Sequence, residues 1–162
     1  MLLRTSDHSL STVTEATIIP IQAARVKHMF NEFPYLGTAL LWATSRDEAM
    51  IVEHLVSVGR RNAIERTAHF ILELHDRLEL VGLAADHKFH CPLNQYVLAD
   101  ALGLSTIHVN RVLRQLRTRE LATFKAHEIT IHNIAGLKAL AGYASPEESL
   151  VVVRDGIERD GF

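Results

Sequence analysis

Cysteine is almost absent: Cys91 is the only one in 162 residues. A single thiol can neither close an internal disulfide nor hold an iron–sulfur cluster, so a reducing, cytoplasmic setting is expected. Net charge is nearly absent too, at −2, so any surface for a polyanion has to be local. The chain does not open on the apolar run of about 7–15 residues that marks a secretory signal. Its most apolar stretch, LGTALLWATSRDEAMIVEHLVSV, carries Arg46, Asp47, Glu48, Glu53 and His54, which excludes that stretch as a membrane span. Also missing are a GxxxxGK phosphate loop, a GxSxG elbow and an HExxH pair. Cys91 precedes Pro92, has no evident base partner and reads as a core thiol. No enzymatic activity and no cofactor are expected.

What is present has the balance of a folded soluble protein, 48% hydrophobic and 22% charged. The length suits one domain, or two small ones sharing a long helix. LSTVTEATIIPI (10–21) is rich in Thr, Val and Ile and predicts a strand ending near Pro20. QAARVKHMFNEF (22–33) predicts a short helix stopped by Pro34. A lone strand has nothing upstream to pair with, so residues 1–33 read as the remnant of a β-domain.

From Leu36 to Val58 the residues favour a helix, at 1.5 Å per residue roughly 35 Å long. Leu36, Leu40, Ala43, Met50 and Val58 follow a heptad-like track, with Asp47 and His54 in its gaps. Leu41, Val52, Leu55 and Val56 add a second apolar flank. So much apolar surface implies packing on a further domain, pairing of two helices in a dimer, or both. Gly59 and the following RRN predict a break. A second helix is then expected over about 61–81, with Ile64, Ala68, Ile71, Leu74, Leu78 and Val81 on one face and Gly82 closing it. HKFHCPL (87–93) predicts a strand ending at Pro92.

Within NQYVLADALGLSTIHVNRVLRQLR (94–117), Leu98, Ala99 and Leu102 form the inner face of a first helix. Gly103 supplies a sharp turn, Ser105 an N-cap, and Val109, Val112, Leu113 and Leu116 the buried face of a second helix. Ala99 is small where two steeply crossed helices meet. The outward face carries Thr106, His108, Asn110, Arg111, Arg114 and Gln115, the donors and acceptors that contact bases and phosphates. Between Ser105 and Lys125, five cations (Arg111, Arg114, Arg117, Arg119 and Lys125) face one anion, Glu120. An ordinary solvated helix would also be charged outside, but the cap, the 99–103–109 spacing and the scarcity of acids favour DNA reading. LATFKAHEITIH (121–132) predicts two strands about a turn near Ala126–His127, a wing whose Lys125 suits the phosphate backbone. The usual glycine is absent there, which leaves the turn type open. NIAGLKALAGY (133–143) predicts a closing helix, and SLVVV in the 144–162 tail could be a strand of no assigned role.

Ten histidines raise the question of a metal. In HKFHC, alternation along a strand puts His90 and Cys91 on opposite faces. His69 and His75 lie six apart on a helix, and His127 and His132 fall on or near the wing, where a phosphate contact is as natural. Adventitious surface histidines are the expectation, and no metal site.

The order of parts resembles the C-terminal two-thirds of Crp/Fnr-type transcription regulators across residues 7–143. The resemblance is carried by DHSLSTVTEATIIPI, by LLWATSRDEAMIVEHLVSVGRRNAIERTAHFILEL and, most specifically, by LNQYVLADALGLSTIHVNRVLRQLRTRELATF. It implies a mainly α fold with a little β. A β-roll remnant (1–33) leads into a dimerisation helix and hinge (34–60), then a winged helix–turn–helix (61–143) and a tail (144–162). It implies a homodimer held through Leu36, Leu40, Ala43, Met50 and Val58. Ser105, Thr106, His108, Asn110, Arg111, Arg114, Arg117 and Lys125 would meet double-stranded DNA at a palindromic operator, with RNA polymerase as a further partner and no membrane. Arg111 matches the family's recognition arginine, while Thr106 and Ile107 depart from the arginine–glutamate pair of cyclic-AMP receptor proteins, so a different operator is implied. Most of the effector β-roll is missing apart from a remnant of its loop at SDHSL, so no cyclic-nucleotide binding by this chain is expected. The rival reading is an interaction module that pairs with a full-length relative and modulates it.

Overall fold

The computed structural model describes residues 9–144. The chain divides into two compact units, one up to Val56 and one from Ser57 onward. The SLVVV segment, and the start of SDHSL, lie outside the described residues.

In the first unit, residues 10–21 form no strand, contrary to expectation, and Ile18 and Ile19 are exposed. Strand-forming residues alone do not make a strand: backbone N–H and C=O groups need a neighbour to pair with, and no described segment supplies one here. Helix α1 (Ala23–Glu32) follows as predicted, then α2 (Pro34–Arg60), which opens on a proline whose missing N–H costs nothing at the first helical position. The ring of Phe30 lies over Gly37, where even a Cβ would come within 3.2 Å of it. The expected break falls within RRN, at Arg61–Asn62, while Gly59 itself lies inside α2, which continues through it to Arg60. One glycine costs a helix only about 1 kcal/mol relative to alanine, too little to stop it among good helix formers.

The second unit takes in the last turn of α2 and everything after it. Helix α3 (Ala63–Glu79) is started by Asn62, whose side chain accepts from Ile64 N and Glu65 N while Glu65 accepts from Asn62 N at 3.0 Å. This reciprocal cap satisfies backbone donors that the first turn would otherwise leave open. Ala68, Ile71 and Leu72 are buried, and Ile64, Leu74 and Leu78 pack at the edges of the same core. Val81, expected on this face, is exposed because the helix has already ended.

Two hairpins build a four-stranded antiparallel sheet in the order β1–β2–β4–β3. Its strands are β1 (Ala84–Ala85), β2 (Lys88–His90), β3 (Ala122–Lys125) and β4 (Glu128–Ile131). Strand β1 was not anticipated, since two residues show no alternation. Both hairpins turn on two residues with positive φ, Asp86–His87 and Ala126–His127. That is the left-handed pair a type I′ turn needs, and it resolves the glycine-free wing turn. A left-handed non-glycine residue costs on the order of 1–2 kcal/mol, and here the strand pairing on both sides holds it. Phe89, Phe124 and Ile129 stack in register across β2, β3 and β4.

Three more helices complete this unit: α4 (Gln95–Leu102), α5 (Thr106–Thr118) and α6 (Ile134–Ala141). Leu72, Val112, Leu116, Ile129 and Leu137 meet in the main core, and Leu98, Ala99, Leu102 and Val109 in a second one at the α4–α5 crossing. Arg66, partly buried, ties the helix ends together: its Nη1 donates to Leu102 O at 2.8 Å and its Nη2 to Val58 O at 3.1 Å and Arg61 O at 3.2 Å. A cation suits the negative C-terminal ends of α2 and α4. Cys91 is buried beside Phe89, and burial pushes its thiol pKa up, with a smaller opposing effect from a hydrogen bond to the Leu93 backbone.

Candidate nucleic-acid interface

The chain before α5 is shaped almost entirely by local hydrogen bonds. Asn94 caps α4 by accepting from Tyr96 N at 2.9 Å and Val97 N at 3.0 Å. Gly103 then adopts φ 60°, ψ 38°, and its N–H and that of Leu104 close back on Asp100 O and Ala99 O. Such paired closure is available at no steric cost only to glycine. Ala99 is buried where the two helices cross, as its size suggested.

Ser105 caps α5, its Oγ accepting from His108 N at 3.3 Å and lying 3.0 Å from His108 Nδ1. The hydroxyl is therefore engaged with its own helix, and the second contact leaves His108 Nε2 as the nitrogen turned away from the cap. Val109, Val112 and Leu116 are buried and Leu113 half-buried, so the opposite face must look outward. His108, Asn110, Arg111, Arg114 and Arg117 are exposed there, whereas Thr106 is half-buried.

Beside this face lies a cleft of 560 Å³ between the two helices and the wing. Asn110, Arg114, Arg117 and Lys125 line it together, while Ser105, Thr106, His108 and Arg111 lie outside it on the helix surface. Among the lining residues, His127 falls on the wing as the sequence placed it, whereas Gln95 escaped sequence reasoning. His127 sits at the tip of the wing, and Gln95 accepts a hydrogen bond from Asn110 Nδ2 at 3.0 Å. No local pattern joins residues fifteen apart, and only the crossing of α4 and α5 brings these two amides together. Ile107, 80% exposed on the first turn of α5, was noted as a departure but not as a contact residue. Lys125 stands opposite Glu128 in the register of the wing strands.

The other set of expected residues lies on α2. Leu36, Leu40, Ala43 and Val58 are exposed in the single chain and Met50 is half-buried. Leu41, Trp42, Ile51 and Leu55 are more exposed than any of them for which exposure is known, so the apolar surface is wider than the heptad-like track.

A helix–glycine–helix unit followed by a wing, with its outward face basic, is the arrangement of one family of domains, and residues 65–140 match the Crp-like helix-turn-helix domain. Residues 65–140 thus carry a domain similar to the Crp-like helix-turn-helix. The chain is 27% identical over 128 residues to the transcriptional activator protein FnrA of Stutzerimonas stutzeri, covering 79% of the chain and 52% of FnrA. It is 32% identical over 89 residues to the nitrogen fixation regulation protein FixK of Rhizobium meliloti, covering 54% of the chain and 40% of that protein. Its fold matches that of FixK2 from Bradyrhizobium japonicum with a TM-score of 0.65 at 26% identity, over 77% of this chain and 61% of that one. The chain thus spans about half the length of FnrA, at 52%. No helix among its described residues is long and apolar enough to cross a membrane.

Proposed function

We propose that the chain binds double-stranded DNA as a homodimer in the cytoplasm, with one α5 per subunit in a major groove and the wing on the adjoining backbone. The carrying observation is that Asn110, Arg114 and Arg117 of α5 share one cleft with Lys125 of the wing, while the opposite face of the same helix is locked in the core. Arg111 has the geometry to grip guanine through two hydrogen bonds and Asn110 to do so for adenine, with His108 beside them. Gln95 acts through Asn110 as a positioning residue. Ile107 offers an apolar contact for a thymine methyl group. Arg114, Arg117 and Lys125 sit on phosphates and set the register, and the α5 N-terminus at Ser105 and Thr106 adds backbone donors for another. The exposed α2 residues Leu36, Leu40, Ala43, Met50 and Val58 pair two subunits. In a two-fold dimer the paired α5 helices stand about 34 Å apart, which calls for an inverted repeat. RNA polymerase is the further partner such a regulator would meet.

The test is selection of binding sites from a random duplex pool with the purified chain. The expected result is an inverted repeat with half-sites about one helical turn apart. Affinity on it falls with salt, by a log–log slope of about −0.9 per phosphate neutralised. Replacing Arg111→Ala costs about 1–3 kcal/mol on that site and relaxes preference at one base pair. An equal loss on random DNA makes Arg111 a phosphate contact instead. No enriched sequence, even at low salt, overturns the reading.

A second reading is favoured by the broad exposed apolar surface of α2: the chain pairs with a longer relative and modulates it. It predicts a heterodimer that forms without DNA and is indifferent to salt over the range that abolishes DNA binding.

A further inference from the structure

His75 is a histidine with only 2% of its surface exposed, in the last turns of α3. It does not face an apolar wall alone. Its Nδ1 lies 3.1 Å from Asp76 Oδ1 and 3.9 Å from Glu79 Oε2, and the donor atoms of all three residues fall within 4.8 Å of one another. From a different element, the turn of the first hairpin, His87 brings its ring to 5.6 Å from that of His75, centroid to centroid. His87 is exposed and held at φ 59°, a left-handed conformation that the hairpin imposes on it. Behind the cluster, Tyr143 donates its hydroxyl to Asp76 Oδ2 at 2.8 Å and so leaves Oδ1 turned toward the imidazole.

We propose that His75, Asp76 and Glu79 hold one divalent transition-metal ion of the zinc class, with His87 as the fourth ligand. Tetrahedral zinc with bonds of about 2.0–2.1 Å sets its ligand atoms roughly 3.3 Å apart, and the two separations from Nδ1 bracket that spacing. Glu79, 62% exposed at its side chain, and exposed His87 have room to rotate toward the ion. Two imidazoles and two carboxylates suit zinc, cobalt or nickel, whereas magnesium and calcium favour sites built from oxygen alone. The site sits by the C-terminal end of α3, where the helix dipole favours a cation. Tyr143 supplies the outer hydrogen bond that orients a ligating carboxylate. The bound ion would clip α3 to the hairpin whose second strand, β2, pairs with the wing strand β4. The inference is independent of DNA binding, and it departs from the expectation of adventitious histidines because His87 reaches His75 only in the fold.

The experiment uses the whole chain, stripped with a chelator, titrated with Zn²⁺ under native mass spectrometry and with Co²⁺ by visible absorption. One equivalent of zinc and the intense absorption of tetrahedral cobalt are expected, with excess Mg²⁺ unable to displace either. Tyr143→Phe should weaken binding by about 10–100-fold, and Glu79→Gln and His87→Ala by at least as much. The last two replace exposed side chains, and unchanged thermal unfolding of their metal-free forms confirms that they fold. The double variant His90→Ala, His127→Ala removes a histidine pair with ring centroids 6.3 Å apart, and it should leave zinc uptake unchanged. Zinc uptake that this double variant abolishes, uptake indifferent to Glu79→Gln, or no stoichiometric uptake overturns the site and leaves His75 as a buried ion-pairing histidine. Retention of zinc by His87→Ala alone overturns the fourth ligand.

Discussion

Helices α2 and α5 are both amphipathic, yet they stand in opposite relations to the rest of the chain. Helix α5 has 13 residues and buries three large apolar ones, so its core side is satisfied by its own domain and its exposed side is polar and basic. Helix α2 has 27 residues and buries one, Ser57, while Leu41, Trp42, Ile51 and Leu55 stand in solvent at 62–70% exposure. An exposed polar face needs no partner to be stable and is free to recognise one. An exposed apolar face of this length is a cost in water until something covers it. On the proposed function the two helices speak to different partners: α5 to DNA, α2 to a second subunit.

The largest expected effect strikes α2. Leu40→Lys puts a charge into the proposed helix pairing, where an uncompensated buried charge costs about 3–5 kcal/mol. Sedimentation should show a monomer that has lost inverted-repeat binding, with the thermal unfolding of the second unit unchanged. A dimer that survives Leu40→Lys breaks the comparison on that side. Leu116→Ala tests the converse. It should destabilise the winged domain by about 2–5 kcal/mol in chemical denaturation, through the cavity left under α5, without altering self-association of the folded chain. Asn62→Ala removes the reciprocal cap of α3 and should cost about 1 kcal/mol in the same assay. The smallest effect is a gain. Ala126→Gly relieves one left-handed residue at the wing turn and should stabilise by up to about 1 kcal/mol, with DNA affinity unchanged unless the wing's rigidity matters to binding.

Cys91 gives a pH signature of known sign. Its thiol pKa is raised in the fold, mainly by burial, so the stabilisation linked to it is fully present below the unfolded pKa and is lost as pH rises through the folded one. The folded chain should resist thiol alkylation at mildly alkaline pH, and the denaturant-unfolded chain should not. Equal alkylation rates would place the thiol at the surface.

The sequence by itself determined the parts whose causes are local. The caps at Asn94 and Ser105, the left-handed turn at Gly103, the buried spacing through Val109, Val112 and Leu116, and the two wing strands all rest on interactions within a few residues. Such interactions leave a period or a residue type to read. Composition was a poorer guide where a partner strand was needed: residues 10–21 have strand residues but no neighbour, and β1 has a neighbour but too few residues to betray it. The break expected at Gly59 and RRN falls just past the glycine, since a glycine ends a helix only where its surroundings also give way. The tertiary structure alone decided the contacts that join distant segments. Arg66 gathers the carbonyls of two helix ends, Gln95 meets Asn110 across the helix crossing, and His87 comes to His75 from a hairpin turn. These residues carry no periodic mark because their neighbours are chosen by chain closure rather than by spacing along one element.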